Sequence, residues 1–270
     1  MNALFPNGLN ANAAGSLADG SYKTTYLITG ASRGIGKALV AALLLRPSHT
    51  VIACVRNVAS QSADLQSLPK ADSSNLVSVK LDCASETDHF AAAQELRSQH
   101  GITHIDVVIA NAAIADNFGP ASTMQIEHLK NHMMVNAYSV LLLFQATHAL
   151  LRAAKAPPKF VLMGAPLGSI TSMAQFSRAP VSAYCVSKLA ANYLVRKVHY
   201  ENKWLVAFVV DPGHVQTDMG AAAARLMGRD EAPTTLKESV DGILARIDEA
   251  TKEGSSGKFL LHEDGSELPW

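Results

Sequence analysis

The segment that decides the fold is Lys23-Thr-Thr-Tyr-Leu-Ile-Thr29, followed by Gly30-Ala-Ser-Arg-Gly34-Ile-Gly36 and the apolar run Lys37 to Leu45. The first part has the apolar centre of a short buried strand, and the last part is typical of a helix that Pro47 ends. Glycines between a strand and a helix permit a tight turn and bring backbone N–H groups close to a phosphate. The predicted phosphate site consists of Gly30, Ser32, Arg33, Gly34, Ile35 and Gly36.

The alternation of strand and helix continues along the chain. Further strands are predicted at 50–55, 75–81, 105–110, 159–163, 204–210 and 257–261, and further helices at 86–100, 123–154, 182–202 and 236–250. Strands that alternate with helices form a parallel sheet with helices on both faces. We therefore expect a single α/β domain at 23–270, a doubly wound parallel sheet of the Rossmann type, preceded by an N-terminal tail or arm at 1–22.

The composition argues against several classes of protein. Of 270 residues, 48% are hydrophobic and 17% are charged, which suits one large folded domain. The 23 basic and 23 acidic residues give zero net charge, so no nucleic-acid partner is expected. The longest apolar run, Val140 to Phe144, is too short to span a bilayer, and residues 1–22 lack the basic and apolar regions of a signal peptide. Cys54, Cys83 and Cys185 are widely spaced, which indicates free thiols in a reducing compartment, and we expect a cytoplasmic protein.

The end of the second predicted strand indicates which nucleotide the glycine turn binds. Sites for NAD usually have an acidic residue at this point, whereas this chain has Ala53-Cys-Val-Arg56-Asn57. Arg33 lies within the turn itself, and two guanidinium groups can enclose a 2′-phosphate. Arg33 and Arg56 therefore predict NADP(H) as the cofactor.

Tyr184 and Lys188 are four residues apart in the predicted helix at 182–202, so they share one helix face. A phenol has a reference pKa of about 10, and a nearby ammonium group favours the phenolate. Such a pair can form a positioned proton donor for a carbonyl or hydroxyl oxygen. Tyr184 and Lys188 are therefore the candidate catalytic pair.

Motifs between Thr24 and the C-terminus resemble those of the short-chain dehydrogenase/reductase family. They are Thr29-Gly-x-x-x-Gly-x-Gly36, Leu81-Asp82, Asn111-Ala-Ala-Ile114, Val135-Asn136-Ala137, Tyr184-x-x-x-Lys188 and Pro212-Gly-His-Val-Gln-Thr-Asp218. The C-terminal segments Ser256-Gly-Lys-Phe259, Asp264-Gly265 and Leu268-Pro-Trp270 further resemble fungal norsolorinic-acid-ketoreductase-like and C-factor-like members.

The resemblance implies a role for each motif. Tyr184 would donate a proton to the substrate oxygen while NADPH delivers hydride, and Lys188 would bind the nicotinamide ribose and lower the tyrosine pKa. Asn136 would hold a water-linked proton path to the lysine. Further contacts to the cofactor would come from Asp82, Asn111, Pro212, Gly213, Val215 and Thr217. The family also implies a homodimer or homotetramer that pairs the helices at 123–154 and 182–202.

One member of the family pattern is missing. The family serine follows the fifth strand, where this chain has Met163-Gly-Ala165-Pro-Leu-Gly-Ser169, so Ala165 stands in the serine position. A lost oxyanion donor costs roughly 2.7–4 kcal/mol of transition-state stabilisation. Either Ser169 or Thr171 substitutes for the serine, or His214 contacts the substrate, or the protein performs a reaction other than ordinary carbonyl reduction.

Three functions follow from these motifs. The first is NADPH-dependent reduction of a ketone or imine in a bulky metabolite, with residues 216–233 as a lid over the substrate. The second keeps NADP(H) but uses the altered site for a cyclisation, isomerisation or dehydration. The third is a cofactor-binding regulatory protein without catalysis. No metal is expected, because His128 and His132 lie four residues apart without further ligands.

Overall fold

The computed structural model of the protein describes residues 22–270. The predicted tail at 1–22 therefore lies outside the described residues, except for Tyr22. The Tyr22 hydroxyl donates a hydrogen bond to Asp106 Oδ1, and its ring stacks on His104 with 4.7 Å between the ring centres. Tyr22 thus packs against the domain.

One seven-stranded sheet forms the centre of the fold. Its strands are β1 (Thr24–Thr29), β2 (His49–Val55), β3 (Asn75–Lys80), β4 (Val107–Ala110), β5 (Lys159–Met163), β6 (Val206–Asp211) and β7 (Phe259–Leu261). Their spatial order is β3-β2-β1-β4-β5-β6-β7, and every pairing is parallel. This confirms the predicted doubly wound, Rossmann-type arrangement.

Helices cover both faces of this sheet. They are α1 (Gly34–Leu44), α2 (Val58–Gln66), α3 (Asp88–Ser98), α4 (Ile126–Met133), α5 (Ser139–Arg152), α6 (Ser182–Glu201), α7 (Asp218–Leu226) and α8 (Leu236–Glu249). Leu43, Leu65 and Ile243 anchor α1, α2 and α8 to one face, while Leu96 and Val195 anchor α3 and α6 to the other. Because the central strands β4, β5 and β6 are buried on both sides, their sequences are almost continuously apolar.

The polar segment after β2 contains a helix, α2, that its sequence pattern does not predict. Leu65 is the one buried residue of α2, so no apolar stripe marks the helix. Its start is set by a polar cap, because the Asn57 side chain accepts a hydrogen bond from the Ser60 N–H at 3.2 Å.

The long helix predicted at 123–154 begins at Ile126 and changes its winding in the middle. The segment Met134–Tyr138 between α4 and α5 is a π-helix, a form that occurs mostly as short insertions near functional sites. By length and a mean hydropathy of 1.4, Ile126–Arg152 also qualifies as a candidate membrane span. Half of the most apolar stretch of this segment is buried inside the fold, and the core helix of a folded domain meets the same criteria.

A side-chain hydroxyl group joins β1 and β4, the neighbouring strands between which the strand order reverses. Thr29 Oγ1, at the end of β1, accepts hydrogen bonds from the backbone N–H groups of Asn111 and Ala112 after β4, both at 3.1 Å. In return, Asn111 Nδ2 donates to the Thr29 carbonyl oxygen at 2.8 Å. In open α/β sheets ligands bind at this switch point, so the Thr29–Asn111 contact fixes the floor of the expected site.

We predict that Thr29→Val lowers the free energy of unfolding by about 1–3 kcal/mol, because the shape is kept while two partly buried N–H groups lose their acceptor. Urea denaturation monitored by circular dichroism measures the change. Thr24→Val is the matched control, since the Thr24 side chain makes no hydrogen bond among the described residues. Equal stability of the two variants would contradict this account of the switch point.

Candidate active site

Two adjoining cavities open at the carboxyl ends of the strands. The first cavity has a volume of about 370 Å³ and the second about 730 Å³. Most of the predicted cofactor contacts line the first cavity, namely Gly30, Ser32, Arg33, Gly34, Ile35, Gly36, Arg56, Asp82, Asn111, Tyr184, Lys188, Pro212 and Thr217. The two remaining contacts, Gly213 and Val215, line the second cavity instead.

The glycine turn gives the first cavity a backbone surface suited to a phosphate. Gly30 and Gly34 have φ values of +66° and +54°, a region that favours glycine. At Gly36 a Cβ would lie 2.7 Å from Asn111 Nδ2 and closer still to the Gly30 carbonyl oxygen, so this position has no room for a side chain. The Arg33 side chain does not cap α1, which leaves the first N–H groups of that helix free to bind an anion.

The two arginines expected at a 2′-phosphate differ in their surroundings. Arg33 Nη1 forms an exposed salt bridge of 2.8 Å with Asp218 Oδ2. Arg56, at the end of β2, is exposed and has no acidic partner among residues 22–270. Both side chains line the first cavity, so Arg56 is the cation available there without displacing an internal partner.

Tyr184 lies at the boundary between the cavities and lines both of them. It is in the first turn of α6, and Lys188 follows one turn later with only 3% of its surface exposed. Lys188 Nζ donates a hydrogen bond to the Met163 carbonyl oxygen at 2.7 Å and lies 5.7 Å from the centre of the Tyr184 ring. The pair expected from the sequence is therefore brought together at one edge of the sheet.

Burial determines the acidity of this pair. It lowers the pKa of Lys188 to about 8, although nearby Asp211 acts in the opposite direction. It raises the pKa of Tyr184 above its ordinary value, with the negative charge of Asp211 as a further cause. The protein alone thus does not have the lowered tyrosine pKa that was expected from Lys188, because burial and Asp211 raise that pKa and the lysine Nζ bonds to the Met163 carbonyl oxygen. Tyr184 consequently keeps its proton.

Asn136 lines neither cavity but fixes the loop after β4 against α6. Its Oδ1 accepts from the Ile114 N–H at 2.8 Å, while its Nδ2 donates to the Ile114 carbonyl and to Ser187 Oγ, both at 2.9 Å. Ser187 Oγ donates in turn to the Tyr184 carbonyl oxygen at 2.7 Å. Asn136 thus positions the helix that carries the pair, and Ser187 is a contributor that the sequence pattern does not reveal. The water-linked path to Lys188 stays a prediction.

The second cavity has mainly apolar walls, and Ala165 and His214 line it as expected. The other two predicted pocket residues do not reach it. Ser169 is buried outside both cavities, where its Oγ accepts from the Ser172 N–H at 3.0 Å, and Thr171 faces solvent. We therefore correct the expectation that either hydroxyl stands in for the missing serine, because neither residue lines a cavity that contains Tyr184.

Residues 216–233 include α7 and form one wall of the second cavity. Thr217 caps α7 by accepting from the Gly220 N–H at 3.1 Å, and His214 Nε2 donates to the Gly220 carbonyl oxygen at 2.8 Å. The ends of the segment are joined, since the Gln216 N–H donates to the Thr234 carbonyl at 2.9 Å. His214 therefore anchors this wall as well as lining the cavity.

Cys185, next to Tyr184, is a free thiol whose pKa is raised by burial, which disfavours the thiolate that a nucleophile requires. Cys54 and Cys83 are likewise free, and burial raises their pKa values. Cysteine chemistry is therefore not the basis of the site.

Comparison with known proteins agrees with the site geometry. The family model described as short chain dehydrogenase matches residues 24–226. A norsolorinic acid ketoreductase of Dothistroma septosporum, nor1, is 67% identical over 251 residues, covering 93% of this chain and 94% of the relative. The norsolorinic acid ketoreductase of Aspergillus parasiticus is 61% identical over 248 residues, covering 92% of each.

A solved structure shares the same architecture. The NADPH-bound carbonyl reductase from chicken fatty liver is 26% identical, has a TM-score of 0.80, and the match covers 92% of this chain and 94% of that chain. Together with the seven-stranded parallel sheet and the Tyr184–Lys188 pair, these matches identify the family. The chain belongs to the short-chain dehydrogenase family and is of the norsolorinic-acid-ketoreductase-like type.

Proposed function

We propose that the protein is an NADPH-dependent reductase that transfers hydride to a ketone, or an imine, of a bulky secondary-metabolite-like substrate. The observation that carries this proposal is Tyr184 at the boundary of the two cavities, with buried Lys188 one helical turn away. The two fungal relatives, both norsolorinic acid ketoreductases, and the NADPH bound by the chicken carbonyl reductase support it.

The first cavity suits NADP(H). The free N–H groups at the start of α1 would hold the pyrophosphate, Arg56 with Arg33 the 2′-phosphate, and Lys188 the nicotinamide ribose. When bound, NADPH supplies the hydride that a carbonyl carbon accepts. The fit rests on the glycine turn, since a side chain at Gly36 would collide with the Gly30 carbonyl group and Asn111 Nδ2 and so disrupt the turn that presents these N–H groups.

Tyr184 supplies the proton that the reduced carbonyl oxygen requires. Its pKa is raised by burial, so the phenol is protonated at neutral pH and acts as a general acid. The ammonium group of Lys188, on the same helix face, then stabilises the phenolate that remains. The protonated phenol is the form that reduction requires, whereas oxidation of an alcohol would require the phenolate.

The second cavity would hold the substrate. Its volume of about 730 Å³ accommodates a polycyclic or similarly bulky molecule, and Phe118, Phe176 and Leu226 supply apolar wall. We extend the proposal to residues 216–233 as a lid, because they form one wall between two joined ends. The three free thiols suit a cytoplasmic setting.

Ala165 favours a second candidate function. It lines the second cavity without a hydroxyl group, and neither Ser169 nor Thr171 replaces that hydroxyl. A site without this donor stabilises a developing oxyanion less well. The alternative is an altered short-chain dehydrogenase that binds NADP(H) and catalyses a cyclisation, isomerisation or dehydration, with or without redox.

We also propose a homodimer or homotetramer through the long helices. Val186, Tyr193 and Tyr200 on α6 recur every seven residues and are 42%, 68% and 64% exposed. Residues at this spacing share one helix face, and a paired copy of α6 would cover it.

NADPH labelled with deuterium at C4 tests the reductase against the alternative. We expect the wild-type protein to place deuterium on the carbinol carbon of a bulky aryl ketone, or on the corresponding carbon of an imine. Mass spectrometry of the products from a set of ketones and a set of imines measures the transfer of deuterium. Unlabelled products from every compound, with NADPH still bound, would overturn the reductase and favour the alternative.

Substitution of Tyr184 tests its role as the proton donor in ketone reduction. We expect Tyr184→Phe to lower kcat for ketone reduction by about 10²- to 10⁴-fold, because general acid catalysis is lost. Tyr138→Phe is the control, since Tyr138 is 50% exposed and its hydroxyl makes no hydrogen bond among the described residues. NADPH affinity is expected to persist in both variants.

Arg56→Ala tests the choice of dinucleotide. We expect the Kd for NADPH to rise about 10- to 100-fold through loss of a charge-assisted contact to the 2′-phosphate, while the Kd for NADH is unchanged. Fluorescence titration with both nucleotides measures the effect. Arg97→Ala on the exposed face of α3 is the control, and an equal loss of affinity for NADPH and NADH argues against the assigned contact.

The lowered pKa of Lys188 predicts a pH dependence. The lysine is charged below about pH 8 and loses its proton above it, so kcat/KM for NADPH is expected to fall as pH rises through about 8. Tyr184 does not titrate in this range, because its pKa is raised rather than lowered. Lys188→Arg is expected to remove the alkaline limb at a lower absolute rate, and a profile that stays flat to pH 9.5 in the wild type contradicts the assignment.

A further inference from the structure

Asp211 places a buried carboxyl group in the wall of the second cavity. Side chains alternate along β6, and Ala207 and Val209 lie in the core layer on the α6 side of the sheet. Asp211 is the next residue in that series and is 7% exposed. Its carboxyl group therefore lies on the same side of the sheet as Tyr184 and Lys188, at the end where the cavities meet.

The end of the neighbouring strand lies beside this carboxyl group. Met163 on β5 pairs with Val210, and the Gly164 N–H donates to the Val210 carbonyl at 2.7 Å, so Gly164 lies alongside Asp211. Gly164 has no side chain, and the following Ala165 ends in a methyl group. Both residues line the second cavity with Asp211 and Tyr184. A molecule bound in the second cavity therefore has both Tyr184 and the carboxyl group of Asp211 in its walls.

Most of the hydrogen-bonding capacity of Asp211 is unused by the protein. Oδ1 accepts from the Gly213 N–H at 3.1 Å, and no other group within residues 22–270 bonds to the carboxyl group. An ionised carboxyl group can accept about four hydrogen bonds. Burial raises the pKa of Asp211, while His262 beyond β7 and Lys188 on α6 act in the opposite direction. A buried carboxyl group with one partner lacks the compensation that burial usually requires.

We propose that Asp211 is a specificity-determining residue whose carboxylate accepts a hydrogen bond from a hydroxyl group of the substrate beside the carbonyl that is reduced. This inference rests on the proposed reductase function and names its substrate class, a ketone with a hydroxyl group two or three bonds from the carbonyl carbon. Such a substrate directs its carbonyl oxygen to Tyr184 and its hydroxyl group to Asp211.

The energetics favour this class because the rest of the cavity is mainly apolar. A ketone without the hydroxyl group displaces water from Asp211 and leaves the carboxylate with no partner except Gly213. Sites built to bond a substrate hydroxyl discriminate strongly against an analogue that lacks it. The hydroxyl-bearing ketone avoids this cost and is fixed in orientation.

Asp211 also has a structural role that the test must hold constant. Its bond to the Gly213 N–H stabilises the turn at Pro212-Gly213, where Gly213 has a φ of +82°. Asp211→Asn keeps this bond, because the amide oxygen accepts from the same N–H group. The remaining NH₂ group only donates, so the variant retains the turn and loses the acceptor that faces the cavity.

The experiment compares a 2-hydroxyphenyl ketone with the corresponding phenyl ketone. For the wild-type protein with NADPH, we expect kcat/KM to be about 10- to 100-fold higher for the hydroxyl-bearing ketone. In Asp211→Asn we expect this ratio to fall at least tenfold, mainly through the hydroxyl-bearing ketone. Asp241→Asn on the exposed surface of α8 is the matched control and is expected to keep the wild-type ratio.

Because the two ketones are compared within each variant, the ratio of their kcat/KM values does not depend on the overall activity of that variant. If Asp211→Asn does not fold, Asp211→Ser is used, because a hydroxyl group also accepts from the Gly213 N–H. A ratio that is unchanged in a folded variant, or a wild-type ratio near one, overturns the role of Asp211 while ketone reduction still supports the reductase. Absence of turnover with either ketone counts against the reductase, and the same ratio is then read from the two Kd values in the presence of NADP⁺.

Discussion

The hydroxyl group of Thr29 holds together the two strands on which the rest of the site depends. It binds the first two N–H groups after β4, while Asn111 returns a bond to the end of β1. The glycine turn begins at the next residue, and Gly36 packs so closely against the Gly30 carbonyl group and Asn111 that no side chain fits there. Because parallel strands all end at this edge, the groups carried by β5, β6 and α6 converge beside the same turn.

Desolvation at that edge of the sheet determines the protonation of the three titratable groups that meet there. Tyr184, Lys188 and Asp211 approach one another where little water reaches them, and each has its neutral form favoured by burial. Lys188 favours the ionised form of Asp211, whereas Asp211 opposes ionisation of Tyr184. Tyr184 therefore keeps its proton, which is the form from which it can donate to a substrate oxygen.

The sequence predicted what depends on local pattern and missed what depends on distant partners. Alternating apolar runs were enough for the sheet, and a spacing of four residues was enough to pair Tyr184 with Lys188. The sign of the tyrosine pKa shift was missed because it depends on burial, which the spacing does not report. Ser169 was assigned to the pocket, although its buried hydroxyl group accepts from the Ser172 N–H and lines neither cavity. Asp211 was overlooked because its importance arises only when β6 ends beside α6.

Ala165 and Asp211 change the demand that the site makes on its substrate. A serine at position 165 would donate a hydrogen bond to the substrate oxygen, whereas a carboxylate at 211 can only accept one. Neighbouring strands therefore present a methyl group and an acceptor where the family pattern presents a donor. A substrate that satisfies both must bring a donor of its own next to its carbonyl group. The missing serine and the buried carboxylate therefore favour the same substrates, which are ketones that carry a hydroxyl group of their own.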